Sequence, residues 1–353
     1  SRSSRPSLGS EAPIGIFDSG IGGLTVADAL SRALPLERLC YFGDTAHMPY
    51  GDRSPDLVRA WSVRIAEHLL EQGCKALVIA CNSASASAAS AVRDVAGDGV
   101  PVIDVISPVV AAVSRQDRRH IGVIGTRATV GSGIYGRTLR AAIEEAKGNG
   151  VVEEWATPLL APLIEEGWQD HALMEPVLLS YLEAAGWGHG TDCVLDALIP
   201  GCTHYPLAMA MLRRVLGDGV EVIDGPGIVA ESVRVRLGEE GLLHTGPAQG
   251  NHQFAVSDLT PSFGASASRF FGDGIDLKHD PLWALGLILI RTIPRIRGSA
   301  LPLLRGAFSA LPPRASLSSR APQPKVHLLR CVYPREPQLQ LPPQPPRPQW
   351  HGP

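Results

Sequence analysis

The amino-acid sequence predicts an α/β protein with two pseudo-symmetric domains, mostly parallel sheets and an active site in the cleft between the domains. Short apolar, β-rich segments alternate with helix-like segments, which is typical of repeated βαβ units. Residues 14–26 resemble 121–130, and residues 78–83 resemble 198–204, which suggests an internal duplication. The chain has 353 residues, of which 44% are hydrophobic and 19% charged, and this is enough to bury two cores.

The strands are predicted where Ile, Val, Leu and aromatic residues cluster. In chain order they are 13–17, 38–42, 75–80, 101–106, 120–125, 151–156, 193–199, 220–224 and 252–257. Amphipathic stretches at 56–72 and 171–185 are the clearest helices between them. Nine strands are more than one small sheet needs. We therefore expect a disordered leader, a first domain in two pieces, a second domain and a low-complexity tail, with the bounds 1–12, 13–104 with 222–277, 105–221, and 278–353.

The predicted tail, residues 278–353, differs in composition from the rest of the chain. It holds 15 of the 30 prolines and 11 Lys and Arg residues against two acidic ones. Because each proline removes a backbone donor, we expect this Pro/Arg-rich segment to be disordered and dispensable for ligand binding. Its apolar run at 282–290 is half the length of a membrane span, so a helix fragment that covers the core is favoured over a membrane contact.

The composition also bears on which classes of partner the protein can bind. The acidic first 277 residues show no electrostatic footprint for nucleic acid. No stretch approaches the roughly 18 apolar residues of a membrane span, and the polar start has no secretory pattern. The six cysteines form no CxxC pair, so we expect reduced thiols in a cytoplasmic protein and no metal.

The segment IFDSGIGGLTV, residues 16–26, is a strand followed by a glycine-rich turn that could present N–H groups to an anion. A dinucleotide site would need glycine where Thr25 stands, and Asp18 would repel a pyrophosphate. A tight turn capped by Asp18 or Ser19 is the structural alternative.

Two cysteine motifs carry most of the chemistry. Cys81 and Cys202 each follow a predicted strand, and each precedes two hydrogen-bonding residues and a helix. Helix N-termini stabilise thiolates, and His204 could hold or receive the proton of Cys202. A Cys/His hydrolase is an alternative, but it would leave Cys81 without a role. Two thiols across a cleft could instead remove a proton from one face of a carbon and deliver one to the other, which inverts a stereocentre.

Two further motifs are weaker by themselves. Tyr50 and Gly51 end the segment DTAHMPYG, for which a surface turn is the simpler interpretation. Glu165 and Glu166 end a short helix-like segment, and their spacing alone favours a solvated face.

Six motifs follow one another along the chain: FDSGIGGLTV, YFGDTAHMPYG, ACNSASA, PLLAPLIEEG, GCTHYPL and VSDLTPSF. Motifs of this kind occur in this order in the glutamate racemases. The sequence resembles that family over roughly residues 13–277. The resemblance implies a cofactor-independent isomerase that supplies D-glutamate for peptidoglycan. It implies that Cys81 takes the proton from D-glutamate and Cys202 from L-glutamate, that Asp18 and His204 assist the thiols, and that Glu165 is a further helper. The substrate-binding residues that it implies are Asp18, Ser19, Tyr50, Gly51, Asn82, Ser83, Thr203 and His204.

The sequence departs from the family pattern at two positions near the thiols. Ser83 stands where threonine is usual, and Pro200 replaces an aliphatic residue and stiffens the approach to Cys202. The tail matches nothing in the family.

Rival functions remain open at this stage. A pyridoxal enzyme would need a lysine in a cleft motif, and Lys75, Lys147, Lys278 and Lys325 are in none. An aspartate racemase of the same superfamily and a non-catalytic binding protein are the alternatives. The expected partners are the small-molecule substrate glutamate and, if the chain forms a homodimer, a second copy of itself.

Overall fold

Two parallel β-sheets organise the described part of this computed structural model, which comprises residues 9–187, 195–248, 250–272 and 275–283. The strands of the first sheet are β1 (Ile14–Asp18), β2 (Leu39–Gly43), β3 (Ala76–Ile79), β4 (Val102–Asp104), β9 (Gln253–Val256) and β10 (Leu277–His279). Those of the second sheet are β5 (His120–Gly125), β6 (Val151–Ala156), β7 (Ala197–Gly201) and β8 (Glu221–Val222).

The two sheets share one strand order. The first runs β10-β9-β2-β1-β3-β4 and the second β6-β5-β7-β8, so β2-β1-β3-β4 has the same arrangement as β6-β5-β7-β8. Consequently β1 corresponds to β5, and β3 corresponds to β7. These are the two pairs of strands whose segments resemble each other in sequence. The predicted α/β class with mostly parallel, pseudo-symmetric sheets is confirmed.

Helices cover both faces of the sheets, as parallel sheets require. They are α1 (Leu24–Ala33), α2 (Pro55–Glu71), α3 (Asn82–Ala96), α4 (Ser107–Val113), α5 (Arg127–Ser132), α6 (Ile134–Glu145), α7 (Leu160–Glu165), α8 (Met174–Ala184), α9 (Met209–Leu216), α10 (Gly225–Glu239) and α11 (Pro261–Phe271), with 3₁₀ helices at Tyr50–Asp52 and Tyr205–Ala208. Alternation along β1 separates the faces, since Ile16 and Phe17 belong to different core clusters. The cluster of Ile16 continues to Val123 of the second sheet, which joins the two sheets through a shared core.

All nine predicted strands are present, with ends that differ by a few residues. The largest shift is in β7, which begins at Ala197 rather than at residue 193, although residues 188–194 lie outside the described part. The sequence did not predict β10, because three residues, Leu-Lys-His, give no apolar run. The helices predicted at 56–72 and 171–185 correspond to α2 and α8.

The predicted start of the disordered tail at 278 is wrong for residues 278–283. These residues complete β10, bury Leu282 and bring Trp283 to a buried carboxylate. The rest of the predicted tail, including residues 284–290 of the apolar run, lies outside the described residues.

The predicted leader needs a similar correction at residues 9–12. There the amide of Ala12 donates to the carbonyl of Gly9, and the buried Lys75 ammonium donates to the carbonyl of Ser10. The division into domains stays a prediction.

Pro200 lies inside β7, where a proline must not interrupt the ladder. The carbonyl of Leu198 accepts from Ile223 on the β8 side, and Pro200, two residues on, faces the same side beyond the end of β8. The missing donor of Pro200 therefore falls where β8 has already ended. Among the described helices, none is long and apolar enough to cross a membrane.

Candidate active site

The predicted site residues lie where the central strands of the two sheets end. Asp18 is the last residue of β1 and precedes Ser19, and Cys81 lies two residues after the end of β3. Cys202 follows β7, the strand of the second sheet that corresponds to β3. Because parallel strands end at one edge of their sheet, each sheet presents a cysteine at its carboxyl edge.

Cys81 caps the N-terminus of α3. The amide of Ala84 donates to its Sγ across 3.4 Å, and the thiol donates to Ser19 Oγ across 3.6 Å. Burial, together with the charge of Asp18, raises the pKa of Cys81 to about 12. A charge on Cys202 makes a further, smaller contribution in the same direction.

Asp18 is a buried carboxylate beside the Cys81 thiol. Its Oδ2 accepts from the amide of Gly20 at 3.0 Å, whereas its buried Oδ1 has no hydrogen-bond partner among the described residues. Burial raises the pKa of Asp18, although the positive charge of His204 partly opposes this shift. Asp18 is thus an acceptor that a cationic ligand group could satisfy.

Cys202 belongs to a line of three interacting side chains. Its Sγ lies 3.6 Å from Nδ1 of His204, and Nε2 of His204 lies 2.6 Å from Oε1 of Glu165. Burial by itself lowers the pKa of His204, but hydrogen bonds with Cys202 and Glu165 outweigh burial and hold that pKa well above its usual value. A protonated imidazole between a thiol and a carboxylate can pass a proton to or from Cys202.

The glycine-rich turn after β1 brings the two halves of the site together. A Cβ on Gly22 would collide with Nδ1 of His204 and would lie 2.9 Å from Oγ1 of Thr203. The hydroxyl of Thr25 donates to the carbonyl of Thr203 at 2.9 Å. The turn therefore packs directly on the cysteine loop of the second sheet, and Gly22 is required by this close approach.

The two residues after Cys81 are held by partners that the sequence analysis missed. Tyr135 donates to Oδ1 of Asn82 at 2.8 Å, and Ser83 Oγ lies 3.0 Å from Oγ1 of Thr126. Thr126 could have been found, because it directly follows β5, the strand that echoes β1. Tyr135 lies in α6, and no signal in the sequence indicates it.

Tyr50 and Gly51 occupy a buried position, so the simpler interpretation as a surface turn is wrong. The hydroxyl of Tyr50 donates to Asp44 Oδ2 at 2.6 Å. A Cβ on Gly51 would lie 2.8 Å from Cβ of Thr126, so the turn contacts the second-sheet side of the site. A solvated face is likewise the wrong interpretation for Glu165, since its carboxylate binds His204.

Comparisons with known proteins are consistent across most of the chain. The sequence model of the Asp/Glu/Hydantoin racemase family matches residues 25–233. A glutamate racemase of Neisseria meningitidis serogroup A is 40% identical over 269 residues, which cover 75% of this chain and 94% of that protein.

Two solved structures are similar in fold and in sequence. The crystal structure of the glutamate racemase of Francisella tularensis in complex with D-glutamate has a TM-score of 0.70 and 34% identity, and it covers 77% of this chain and 98% of its own. The structure of the Thermus thermophilus glutamate racemase in complex with β-chloro-D-alanine has a TM-score of 0.67 and 38% identity, with the same shares covered.

Proposed function

This chain belongs to the Asp/Glu/Hydantoin racemase family, and we propose that it interconverts L- and D-glutamate with two thiols as acid and base. The Neisseria meningitidis and Francisella tularensis relatives, which resemble it over almost their whole length, are glutamate racemases, and the second was solved with D-glutamate. The observation that carries the mechanism is the placement of Cys81 and Cys202, two buried thiols at corresponding strand ends of two sheets with one strand order.

The chemistry is a proton exchange at the α-carbon. One cysteine, as thiolate, takes the α-proton and leaves a carbanion, and the other cysteine, as thiol, gives its proton to the opposite face. Each turnover therefore moves one proton between the two sulfurs, with no net gain or loss. Asp18 beside Cys81, and His204 with Glu165 beside Cys202, are suited to restore the starting protonation states.

The carbanion needs positioned donors, because an α-proton is far less acidic than a thiol. The first N–H groups of a helix have no intrahelical partner, so those of Asn82 and Ser83, which begin α3, can bind the substrate's α-carboxylate. The unpaired Oδ1 of Asp18 suits the α-ammonium group of the substrate. Neither interaction requires a cofactor.

We further propose that the enzyme works without pyridoxal phosphate in a reducing cytoplasm, and that its D-glutamate serves peptidoglycan synthesis. Lys75, which directly precedes β3, is buried, and its Nζ lies 2.6 Å from Oε2 of Glu37. The cysteines of the described residues, Cys40, Cys74, Cys81 and Cys202, are free thiols. Relief of D-glutamate dependence in a bacterium that lacks its own racemase would test the cellular role.

The activity can be tested with purified protein and a panel of amino-acid enantiomers. We expect circular dichroism to show racemisation of L- and D-glutamate with no cofactor added. Racemisation of aspartate in preference to glutamate would overturn the substrate assignment. Activity that disappears with hydroxylamine and returns with pyridoxal phosphate would overturn the thiol mechanism.

The two thiols can then be assigned to faces. We expect Cys81→Ser and Cys202→Ser each to lose racemisation in both directions by at least about 10²-fold, because serine is a much weaker acid than cysteine. With glutamate analogues that eliminate a leaving group after proton removal, Cys81→Ser should retain chemistry on the L enantiomer and Cys202→Ser on the D enantiomer. Equal loss of both partial reactions in both variants would contradict the two-thiol mechanism.

A further inference from the structure

Asp44, at the exit of β2, is the acceptor of a buried hydrogen-bond cluster. Its Oδ1 accepts from Ser257 Oγ at 2.8 Å and from Trp283 Nε1 at 2.7 Å. Its Oδ2 accepts from the hydroxyl of Tyr50 at 2.6 Å and lies 2.9 Å from Nδ1 of His47. We call these five residues the Asp44 cluster.

The composition of the cluster indicates that it fixes the position of the segments that contribute to it. Asp44 is 0% exposed, and a buried carboxylate is stable only when several donors satisfy it. Burial, together with the charge of Asp44, raises the pKa of Tyr50 well above its usual value. The hydroxyl therefore stays protonated and donates a hydrogen bond to Asp44. The tyrosine hydroxyl is therefore committed to Asp44, and what the Tyr50–Gly51 turn can offer a ligand is its backbone.

The cluster contacts the site by two routes. The backbone amide of Asp44 donates to the carbonyl of Asp18 at 2.9 Å. On the other side, the 3₁₀ helix that begins at Tyr50 packs Gly51 against Thr126, whose hydroxyl lies 3.0 Å from Ser83 Oγ. A change in the position of the Tyr50–Gly51 turn would thus reach residues on both sheets.

We propose that Asp44 is a positioning residue that fixes the Tyr50–Gly51 turn at the substrate site, and that Trp283 and Ser257 complete its donor set. The proposal rests on the proposed function, since the turn is placed at a glutamate site. It also gives a role to the motif VSDLTPSF, which supplies Ser257, and to the segment after β10, which supplies Trp283. These two donors come from more than 200 residues along the chain, with separations from Asp44 of 213 and 239.

The indole hydrogen bond offers a mild test, because Trp283→Phe removes one donor and keeps an aromatic ring. Trp187→Phe is a matched control, since the indole of Trp187 also donates to a carboxylate, Oε2 of Glu153 at 2.9 Å, outside the site. The ring of Trp283 lies 4.8 Å from that of His47. Asp44→Asn is a poorer choice. It would replace a carboxylate oxygen with an NH₂ group, which cannot accept from the donors that face it, and this would destabilise the fold.

We expect Trp283→Phe to raise KM for both glutamate enantiomers by about threefold to tenfold, with a smaller change in kcat, because one charge-assisted hydrogen bond to Asp44 is lost. Trp187→Phe should leave KM unchanged. In the Tyr50→Phe background, which already releases the turn from Asp44, Trp283→Phe should have little further effect on KM.

The outcomes separate this proposal from the function on which it rests. Wild-type protein that does not racemise glutamate would contradict the proposed function. An active wild type in which Trp283→Phe and Trp187→Phe have equal KM values would overturn the positioning role alone. Fully additive effects of Trp283→Phe and Tyr50→Phe on KM would also overturn it.

Discussion

Each thiol of the site has its own titratable partner, and the two partners differ in charge. Asp18, a carboxylate, lies near Cys81, and its charge adds to the effect of burial in raising the pKa of that thiol to about 12. His204, whose pKa is raised above its usual value, has its Nδ1 3.6 Å from Sγ of Cys202. The site is therefore symmetric in its strands and asymmetric in its electrostatics.

The charge of Asp18 can be tested through the reactivity of Cys81. Asp18→Asn removes a negative charge beside the thiol, so we expect the pKa of Cys81 to fall and its alkylation by iodoacetamide at alkaline pH to become faster. Under the proposed mechanism racemisation should nevertheless fall, because asparagine cannot exchange a proton with Cys81 as the Asp18 carboxylate can. The measurement is the pH dependence of alkylation in the Cys202→Ser background.

A distant surface substitution, Asp98→Asn, serves as the control for this experiment. It should leave the alkylation midpoint unchanged. If Asp18→Asn also leaves the midpoint unchanged, burial alone sets the pKa of Cys81 and the assigned contribution of Asp18 is wrong.

Glu165 should control the titration of His204. Burial lowers the pKa of this imidazole, whereas its bonds with Cys202 and Glu165 raise it to a net value above the usual one. Glu165→Gln should therefore lower the pKa of His204, as an NMR titration of the ring would show. Racemisation should fall by about tenfold or more, since the proton route to Cys202 is weakened.

The sign of the accompanying stability effect follows from linkage. A histidine whose pKa is raised on folding stabilises the protein fully below its unfolded pKa of about 6.5. This stabilisation is lost as the pH rises through the folded pKa of His204. Glu165→Gln should thus cost most stability near pH 6 and least at alkaline pH, while Glu166→Gln, a change at the exposed neighbour, should cost little at either pH. Equal losses in the two variants would contradict this assignment.

At the scale of elements, the turn between β1 and α1 joins the two sheets at the site. Gly22 has no side chain because Thr203 and His204 of the opposite loop occupy the space where a Cβ would lie. The strand ends place the cysteines, and this turn sets the distance between the loops that carry them.

Gly22→Ala should damage activity more than folding. A Cβ there must displace His204 from Cys202, and a displacement of about 1 Å can cost roughly 100-fold in rate. The cost in stability should be only about 1–3 kcal/mol. Racemisation and thermal unfolding of Gly22→Ala should be compared with those of Gly99→Ala, where a Cβ meets nothing within 4 Å. Full activity in Gly22→Ala would show that the two loops are not in close contact.

At the scale of the whole molecule, β10 and the residues after it, 277–283, complete the first sheet and pack against its helices. Residues 277–279 pair with β9, and Leu282 is buried in the core cluster that contains Phe17. Asp280 lies 2.7 Å from His68 of α2. The segment is therefore part of the folded unit, in contrast to the expectation from composition.

This role of the segment can be measured by truncation. A chain ending at residue 277 should have a Tm lower by at least about 4 °C than a chain ending at 293. The shorter chain lacks the buried Leu282, and the core residues that Leu282 covers become exposed to water. It should also have a higher KM, since the Asp44 cluster loses Trp283. Equal Tm and KM values in the two chains would restore the composition-based boundary at 278.

The sequence by itself determined the α/β class, the nine strands and the two cysteines, because each of these has a local signal. A buried parallel strand is a run of apolar residues, and a cysteine at a strand end followed by small polar residues stands next to its own helix. The duplication was also visible in local similarity, and it predicted the corresponding positions of Cys81 and Cys202.

Only the tertiary structure decided what surrounds the thiols. The pairing of Glu165 with His204, the donation of Trp283 to Asp44 and the contact of Gly22 with Thr203 join residues 39, 239 and 181 positions apart. Such contacts leave no periodicity or motif in one sequence, since the chain path between the partners is set by the packing of whole sheets and helices. Composition failed at 278–283 for the same reason: a few apolar side chains in a proline-rich segment fold when a preformed sheet edge and a buried carboxylate are there to receive them.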